Sequence, residues 1–353
     1  MNASRPVPAI RLSESQVLLT GVYRSGTEFV TQLVSGHPAL SATMYHVNAY
    51  RFITADYEPL SDLANLRRAI ADTKQRLAER YGFALDAARV ETLCAGAEPM
   101  AVERFYDAVM ATLWLGGARR HWLEKAQLVW RQIPQFVERM PNGRAILVIR
   151  DPRSVVASFK RYTYAPPPAY LGAILNCQDA MRHGLAFRDK LPADRFLLLR
   201  YEDAARDPAG TSTLLYRFLG FDPGEAKLDP EAWRDSLGRN WAVNSVFAES
   251  REDFDVEKSI RRWDDNLAPW EIQLTEAVCG ELMTAFNYRP ETKALTDWRS
   301  AIRHILADRV LTDQFRAWLE TGTGIQAFPR DPTRPENWEE RALAASGSIA
   351  PSP

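Results

Sequence analysis

The segment 21–28, GVYRSGTE, combines residue types that bind phosphate groups. Its two glycines, Gly21 and Gly26, have the G-x-x-x-x-G spacing of a Walker-type loop. Such a loop continues with a lysine that reaches the β- and γ-phosphates and a Ser/Thr that binds magnesium, whereas this chain has Thr27 and Glu28. The replacements argue against a nucleoside triphosphatase or kinase site.

The positive charge of this segment lies inside the loop, at Arg24. Ser25 and Thr27 place hydroxyl groups beside it, and the predicted helix that follows would offer free backbone N–H groups to an anion. The loop therefore indicates an anion site of a different kind. A tight strand–helix turn without a ligand is the alternative for this loop alone.

A second cationic motif occurs in 148–161, VIRDPRSVVASFKR. Arg150 ends an apolar run typical of a buried strand, and Ser158 follows two helical turns later. An arginine at a strand end can bind a phosphate through two parallel hydrogen bonds. Two anion sites at neighbouring strand ends imply a ligand with phosphates at both ends of a nucleoside.

Three strand-to-helix units must position these motifs. Apolar runs at 16–21, 144–150 and 195–203 are each followed by a helical pattern. This repetition predicts an α/β fold, a parallel β-sheet flanked by helices. In such sheets ligands bind beyond the carboxyl ends of the strands, which is where both motifs fall.

The remaining patterns predict the domain organisation. Long helical patterns indicate a helical subdomain within 45–120, inserted between the first two units. We expect a single domain over 1–290, a C-terminal helical extension over 291–330, and an irregular or flexible tail over 331–353.

Composition excludes several classes of protein. The 353 residues carry a formal net charge of -1, which provides no field for binding nucleic acid or a membrane surface. No apolar run resembles a signal peptide or a membrane span. Three scattered cysteines suggest neither a disulfide framework nor a zinc site. We expect a cytoplasmic protein with no metal; its oligomeric state is left open.

The two motifs, YRSGTEFVTQLVSGHP and ILVIRDPRSVVASF, together resemble the paired signature of PAPS-dependent sulfotransferases, which have a P-loop-like fold. The resemblance implies that the first loop binds the 5′-phosphosulfate and the second motif the 3′-phosphate. It assigns these contacts to Arg24, Ser25, Gly26, Thr27, Arg150 and Ser158.

Two weaker similarities extend the resemblance over about 16–290. In LLLRYEDAARDP, Tyr201 corresponds to a tyrosine near the adenine, and Phe29 in the first helix either stacks on the adenine or belongs to the core. In SIRRWDDNLAPW, Arg261 and Arg262 correspond to basic residues that close over the 3′-phosphate, with Trp263 as an anchor.

The family's chemistry implies the catalytic candidates. Sulfuryl transfer needs fixed positive charge at the leaving phosphate and a base for the acceptor's proton. WLEKAQ resembles a family segment in which Lys125 contacts the leaving group, but the position of the histidine base of one branch holds Gln127. The matching stretch after the first helix offers His46 as the base. Alternatives are His121, Tyr45, Asp56 and Glu58.

Glu28 departs from the family pattern, because an ionised glutamate repels the phosphate that a threonine would bind there. It either turns away and pairs with a nearby arginine, acts as a base or orients the acceptor, or marks an impaired site.

These observations predict a sulfotransferase that moves a sulfonate group from PAPS to a hydroxyl or amine of a small-molecule, carbohydrate or natural-product acceptor, releasing PAP. The competing hypotheses are a non-catalytic PAP- or nucleotide-binding protein of the same fold and a P-loop kinase.

Overall fold

The computed structural model describes residues 12–44, 46–96, 100–162, 168–235, 237–241, 255–291, 298–322 and 328–338. Five strands form one parallel sheet in the order β2-β3-β1-β4-β5. The strands are β1 (Ser15–Gly21), β2 (Leu40–Met44), β3 (His121–Lys125), β4 (Gly143–Ile149) and β5 (Phe196–Arg200). The predicted parallel sheet flanked by helices is confirmed.

The sheet is buried on both faces, as its apolar strands predict. Leu18 and Leu147 point to one face, where the larger core contains the helices between β2 and β3. Leu19 and Ile146 point to the other face and pack with the first helix and the helices after β5. The alternation follows from the two-residue period of a strand, so single strands supply both cores.

Strands β2 and β3 are missing from the predicted elements. Each has only five residues and includes polar side chains, LSATM and HWLEK, so neither shows the continuous apolar run of β4. The third predicted strand is shorter than expected, because Tyr201 already begins a helix. These strands nevertheless complete the carboxyl edge of the sheet, where Lys125 pairs with Leu19 and Met44.

Helices follow each strand and fill the connection between β2 and β3. In the first half of the chain they are α1 (Thr27–Ser35), α2 (Ala49–Phe52), α3 (Leu63–Tyr81), α4 (Ala87–Cys94), α5 (Val102–Trp114), α6 (Ile133–Arg139), α7 (Pro152–Tyr162) and α8 (Ala173–Lys190). In the second half they are α9 (Tyr201–Arg206), α10 (Pro208–Leu219), α11 (Val256–Ile260), α12 (Trp263–Asn266), α13 (Pro269–Ala285), α14 (Trp298–Leu306) and α15 (Arg309–Thr321). Among the helices described, none has the length and apolarity that crossing a membrane requires.

The C-terminal segment 328–338 returns to the sheet's carboxyl edge. Arg51 of α2 donates to the carbonyl of Pro329 at 2.9 Å and to that of Asn337 at 2.6 Å. The buried ring of Phe328 packs edge-on against Tyr23 of the 21–28 loop, with ring centroids 5.6 Å apart. This segment therefore contacts both the helical insertion and the loop.

Candidate active site

The loop between β1 and α1 forms a compact turn in which two positions, Gly21 and Gly26, have no room for a side chain. Gly26 has φ +87° and Arg24 φ +70°, both in the left-handed region. A Cβ atom at Gly21 would lie 2.6 Å from the Ser25 hydroxyl and 2.7 Å from the Val148 carbonyl. A Cβ at Gly26 would lie 2.1 Å from Cδ2 of Tyr201. The loop thus rests directly on β4 and on the Tyr201 ring.

The amino end of α1 has backbone N–H groups that the helix itself does not use. Its first helical bond runs from Val30 N–H to the Gly26 carbonyl, so the N–H groups of Thr27 and Phe29 have no acceptor within the helix. No side chain of the described residues caps this end. The buried Ser25 hydroxyl beside this helix end has no hydrogen-bond partner among the described residues. Uncapped N–H groups and a helix dipole form a site for an anion.

The structure brings the two cationic motifs together. Arg24 Nε donates to Ser158 Oγ at 3.0 Å, and Arg150 Nη1 donates to the Arg24 carbonyl at 2.9 Å. Arg150 Nη2 donates to the Ser259 carbonyl, while its Nε is buried without a partner among the described residues. Residues separated by more than a hundred positions therefore form one cationic cluster.

Tyr201 supports this cluster from below. The Arg150 guanidinium lies 4.5 Å above the centroid of its ring, and its hydroxyl hydrogen-bonds to Ser259 Oγ at 2.8 Å. Phe29 meets the Tyr201 ring edge-on at 6.4 Å and the Trp233 ring at the same centroid distance. The two aromatic residues assigned to the adenine are thus neighbours.

Lys125 and Gln127 approach the loop from β3. Both side chains are buried, and Gln127 Nε2 donates to Thr27 Oγ1 at 2.7 Å. That bond fixes the amide orientation and leaves Gln127 Oε1 without a partner in the described parts of the chain. Because the Thr27 oxygen accepts this bond, its hydroxyl proton can be donated elsewhere.

Glu28 points to a tryptophan outside both motifs. Its Oε1 accepts a hydrogen bond from Trp241 Nε1 at 3.2 Å, and Gln32, one turn later, donates to the Trp241 carbonyl at 2.9 Å. One face of α1 therefore holds Trp241 at two points. This contact was not predicted, because Trp241 lies in a stretch without a recognisable motif.

His46 lies just beyond β2 in an aromatic pocket. Its ring centroid is 4.8 Å from that of Tyr81, 5.0 Å from that of Phe83 and 5.5 Å from that of Trp114. Burial, reinforced by the charge of Arg76, lowers the pKa of His46 to about 4. The imidazole is therefore neutral at pH 7.

The other candidate bases are placed differently. His121 begins β3 at the amino edge of the sheet, opposite the loop, and hydrogen-bonds to Ser15 Oγ at 2.7 Å. Asp56 and Glu58 are exposed between α2 and α3. Tyr45 lies outside the described residues.

The burial of His46 predicts that the protein loses stability in acid. The folded pKa of His46, about 4, lies below the unfolded value of 6.5, so protons favour the unfolded chain between these values. The free energy of unfolding has its full value above pH 6.5, as far as His46 contributes to it. It falls by on the order of 3 kcal/mol as the pH is lowered to 4. In thermal unfolding followed at both pH values, His46→Gln should lose this part of the pH dependence, whereas the exposed His304→Gln should retain it. Equal pH dependence in both variants would contradict the environment described for His46.

Arg261 and Arg262 lie at the rim of the cluster. Their neighbours in sequence are tied to the second motif, since the Ser259 carbonyl accepts from Arg150 and the Ile260 carbonyl from Ser154. Arg261 is exposed and pairs with Asp264 at 2.6 Å. Arg262 precedes α12, in the same tied segment.

Trp263 is buried under the guanidinium of Arg153, which lies 4.1 Å from its ring centroid. Arg153 also forms ion pairs with Asp151 at 2.7 Å and Glu276 at 2.6 Å. Because all of these groups are buried, the pairs fix the segment that follows α11 against α7. Ser259, which completes the cluster, was not among the predicted residues, although it is the first residue of the quoted segment SIRRWDDNLAPW.

A parallel sheet with an uncapped helix and paired arginines at its carboxyl edge is an arrangement suited to an anionic ligand. A family profile described as the sulfotransferase family matches residues 16–223. The chain therefore belongs to the sulfotransferase family, whose activity is sulfuryl transfer.

Three solved sulfotransferase structures are similar to this chain. The sulfotransferase domain of the Synechococcus PCC 7002 olefin synthase is 18% identical and covers 80% of this chain and 97% of its own, with a TM-score of 0.52. The sulfotransferase domain of the curacin biosynthetic pathway, also 18% identical, covers 77% of this chain and 97% of its own, with a TM-score of 0.47. A mouse sulfotransferase complexed with PAP is 15% identical, and the match covers 77% of this chain and 85% of the mouse protein, with a TM-score of 0.40. No curated protein sequence matches the chain.

Proposed function

We propose that this protein transfers a sulfuryl group from PAPS to a hydroxyl or amine of a small-molecule or carbohydrate acceptor and releases PAP. The observation that carries the proposal is the joining of two cationic motifs through the Arg24–Ser158 hydrogen bond. A ligand with anionic groups at both its 5′ and 3′ positions matches two adjacent anion sites, whereas ATP offers nothing to the second.

The residues present fit such a nucleotide. The uncapped N–H groups of α1, the Ser25 hydroxyl and the Thr27 hydroxyl proton are donors suited to a 5′-phosphosulfate. Arg150 Nε, together with Ser158, is suited to a 3′-phosphate. Further proposed contacts are Tyr201 and Phe29 to the adenine and Arg261 and Arg262 over the 3′-phosphate.

In the proposed reaction, bound PAPS supplies a sulfonate on a phosphate leaving group. Arg24 and the buried Lys125 stabilise the charge that develops on the phosphate oxygen, since fixed cations in a low dielectric act strongly there. His46 takes the acceptor's proton. It is neutral at pH 7, and its Nδ1 is buried without a partner among the described residues, so it can accept.

The proposed acceptor site is the helical region 45–120, of which the structure describes all but Tyr45 and 97–99. In the proposed single domain of 1–290, this region begins beyond the carboxyl end of β2 and packs on one face of the sheet. Helices α14 and α15 fall within the proposed C-terminal extension, 291–330, of which 292–297 and 323–327 lie outside the described residues. Of the proposed tail, 331–353, residues 331–338 are described.

The test is calorimetric binding of PAP and of adenosine 5′-phosphate, which lacks the 3′-phosphate. PAP should bind about a hundredfold more tightly, because a charge-assisted pair of hydrogen bonds contributes about 3 kcal/mol. Equal affinities, or no binding of PAP, would refute PAPS as the donor.

One observation favours a second candidate, a nucleotide-binding protein without transferase activity. At the position of the histidine base in one branch of the family, Gln127 is engaged with Thr27 and has no basic nitrogen. PAP binding without any sulfate transfer to a broad set of phenols, alcohols and amines would support this candidate over the enzyme.

The proposed proton acceptor can be separated from Glu28 by two amide variants. His46→Gln should lower kcat by about a hundredfold or more, since general-base catalysis contributes at least that much. Glu28→Gln should cost only a few-fold, because the amide oxygen still accepts the Trp241 N–H. Initial rates with saturating PAPS measure both. If Glu28→Gln loses more activity than His46→Gln, Glu28 rather than His46 is the base.

A further inference from the structure

The turn 46–48 after β2 is fixed from both sides by buried charges. Arg76 Nη2 donates to the carbonyls of His46, at 2.8 Å, and Val47, at 2.7 Å. The Glu124 carboxylate accepts the N–H groups of Val47, at 2.8 Å, and Asn48, at 2.9 Å. The two peptide units 46–47 and 47–48 therefore have a single, rigid arrangement at the carboxyl edge of the sheet.

Several polar groups around this turn are buried without partners. Within the described chain, no acceptor contacts Nε and Nη1 of Arg76 or Nε1 of Trp114, and neither polar atom of the Asn48 side chain has a partner. The same holds for His46 Nδ1. Arg76 and Asn48 are each 1% exposed and Trp114 is 6% exposed, so bulk water does not satisfy these groups.

These unpartnered atoms are mostly donors. Arg76 contributes two nitrogens, and Trp114 and Asn48 contribute one each, against two acceptors, the side-chain oxygen of Asn48 and Nδ1 of the neutral His46. Leaving such groups unsatisfied costs about 1–3 kcal/mol apiece, and more for a charged group. An arrangement of this kind is stable when a group rich in acceptor oxygens binds among the donors.

The charged side chains around the turn also favour the binding of an anion. Arg76, Arg80 and Arg239 act on His46 together with one carboxylate, Asp235. Glu124, the carboxylate nearest to the turn, already accepts the two N–H groups of the turn and the Tyr106 hydroxyl. The nitrogens of Arg76 that remain can therefore receive an anion from outside the chain.

The turn lies at a useful distance from the sulfuryl site. The turn follows β2, and β3 lies between β2 and β1 in the sheet. With strands about 4.8 Å apart, the turn is displaced by about 5 Å from the segment of Gln127 and by about 10 Å from the 21–28 loop. A molecule the size of a substituted phenol spans that separation, and His46, beside its carboxylate end, would take the proton of its hydroxyl through an intervening water.

We propose that the donors around turn 46–48 bind a carboxylate of the acceptor, so that this enzyme acts on hydroxyl compounds that also carry a carboxylate. The aromatic rings of Tyr81, Phe83 and Trp114 line the site on the side of His46. This inference rests on the proposed function for the transfer step, but the carboxylate site itself can be tested without it.

The experiment compares 4-hydroxyphenylacetate with its neutral amide, 4-hydroxyphenylacetamide, by calorimetry with and without PAP. The native protein should bind the carboxylate at least about tenfold more tightly. Trp114→Phe keeps an aromatic side chain but removes the indole N–H together with the five-membered ring, so it should reduce this preference several-fold. Asn48→Asp should abolish it, because a carboxylate replaces a donor and the left-handed φ of +45° tolerates aspartate.

Asn65→Asp is the matched control, since it adds the same charge to the exposed amino end of α3 and should leave the preference unchanged. Equal affinity of the native protein for the two probes overturns the inference. So does a preference that both Trp114→Phe and Asn48→Asp retain. A preserved preference in a protein that fails to bind PAP would refute the proposed donor and leave the carboxylate site standing.

Discussion

Replacing Gly26 with alanine should abolish PAP binding and lower the stability of the fold. The new Cβ would lie 2.1 Å from Cδ2 of Tyr201, far inside van der Waals contact, and the φ of +87° is unfavourable for any side chain. The left-handed conformation costs about 1–2 kcal/mol, and the overlap costs about 1–3 kcal/mol more. Tyr201 cannot move away freely, because its hydroxyl is bonded to Ser259 and its ring supports Arg150. Thermal unfolding with and without PAP measures both effects.

Gly82→Ala separates these two causes. Gly82 also has a positive φ, +71°, but a Cβ there would meet no atom within 4 Å in the described structure. We expect this control to show the conformational cost alone and to retain full protection by PAP. If Gly26→Ala is as mild as Gly82→Ala, the loop does not rest on Tyr201 as described.

Replacing Arg150 with lysine should weaken PAP binding by roughly thirtyfold, or about 2 kcal/mol. Lysine keeps the charge but lacks the planar fork that bonds the Arg24 and Ser259 carbonyls while leaving Nε free for a ligand. Binding of adenosine 5′-phosphate should fall much less, because that ligand has no 3′-phosphate to lose.

Arg200→Lys provides the control for this substitution. Arg200 ends the neighbouring strand β5 and bonds to Asp203 at 3.2 Å. The Arg200→Lys substitution should leave the affinities for PAP and for adenosine 5′-phosphate nearly unchanged. If Arg150→Lys weakens the two nucleotides equally, Arg150 acts by holding the loop through the Arg24 carbonyl rather than by contacting the 3′-phosphate.

The loop and the second motif were predictable because each is encoded locally. Glycine spacing, an apolar strand and a following helix are properties of a few consecutive residues, and they place Arg24 and Arg150 at strand ends. The parallel sheet follows from repetition of the same unit. Its order did not follow, because β2 and β3 are short and partly polar and are recognisable only once paired with β1.

The contacts that complete the site are not local. The bonds from Gln127 to Thr27 and from Trp241 to Glu28 join residues far apart in the chain. The environment of His46 likewise depends on α3, the segment that follows it and α5 folding around one ring. A residue type indicates what a side chain can do, but its pKa and partners depend on what tertiary packing brings to it.

The contact of Phe328 with Tyr23 has a consequence for how the protein is made. Because Tyr23 is synthesised long before Phe328, the packing of the 21–28 loop cannot be completed until the ribosome has passed residue 328. The anchoring bonds of Arg51 to Pro329 and Asn337 form at the same late moment. The candidate site therefore reaches its final form only after segment 328–338 has left the ribosome.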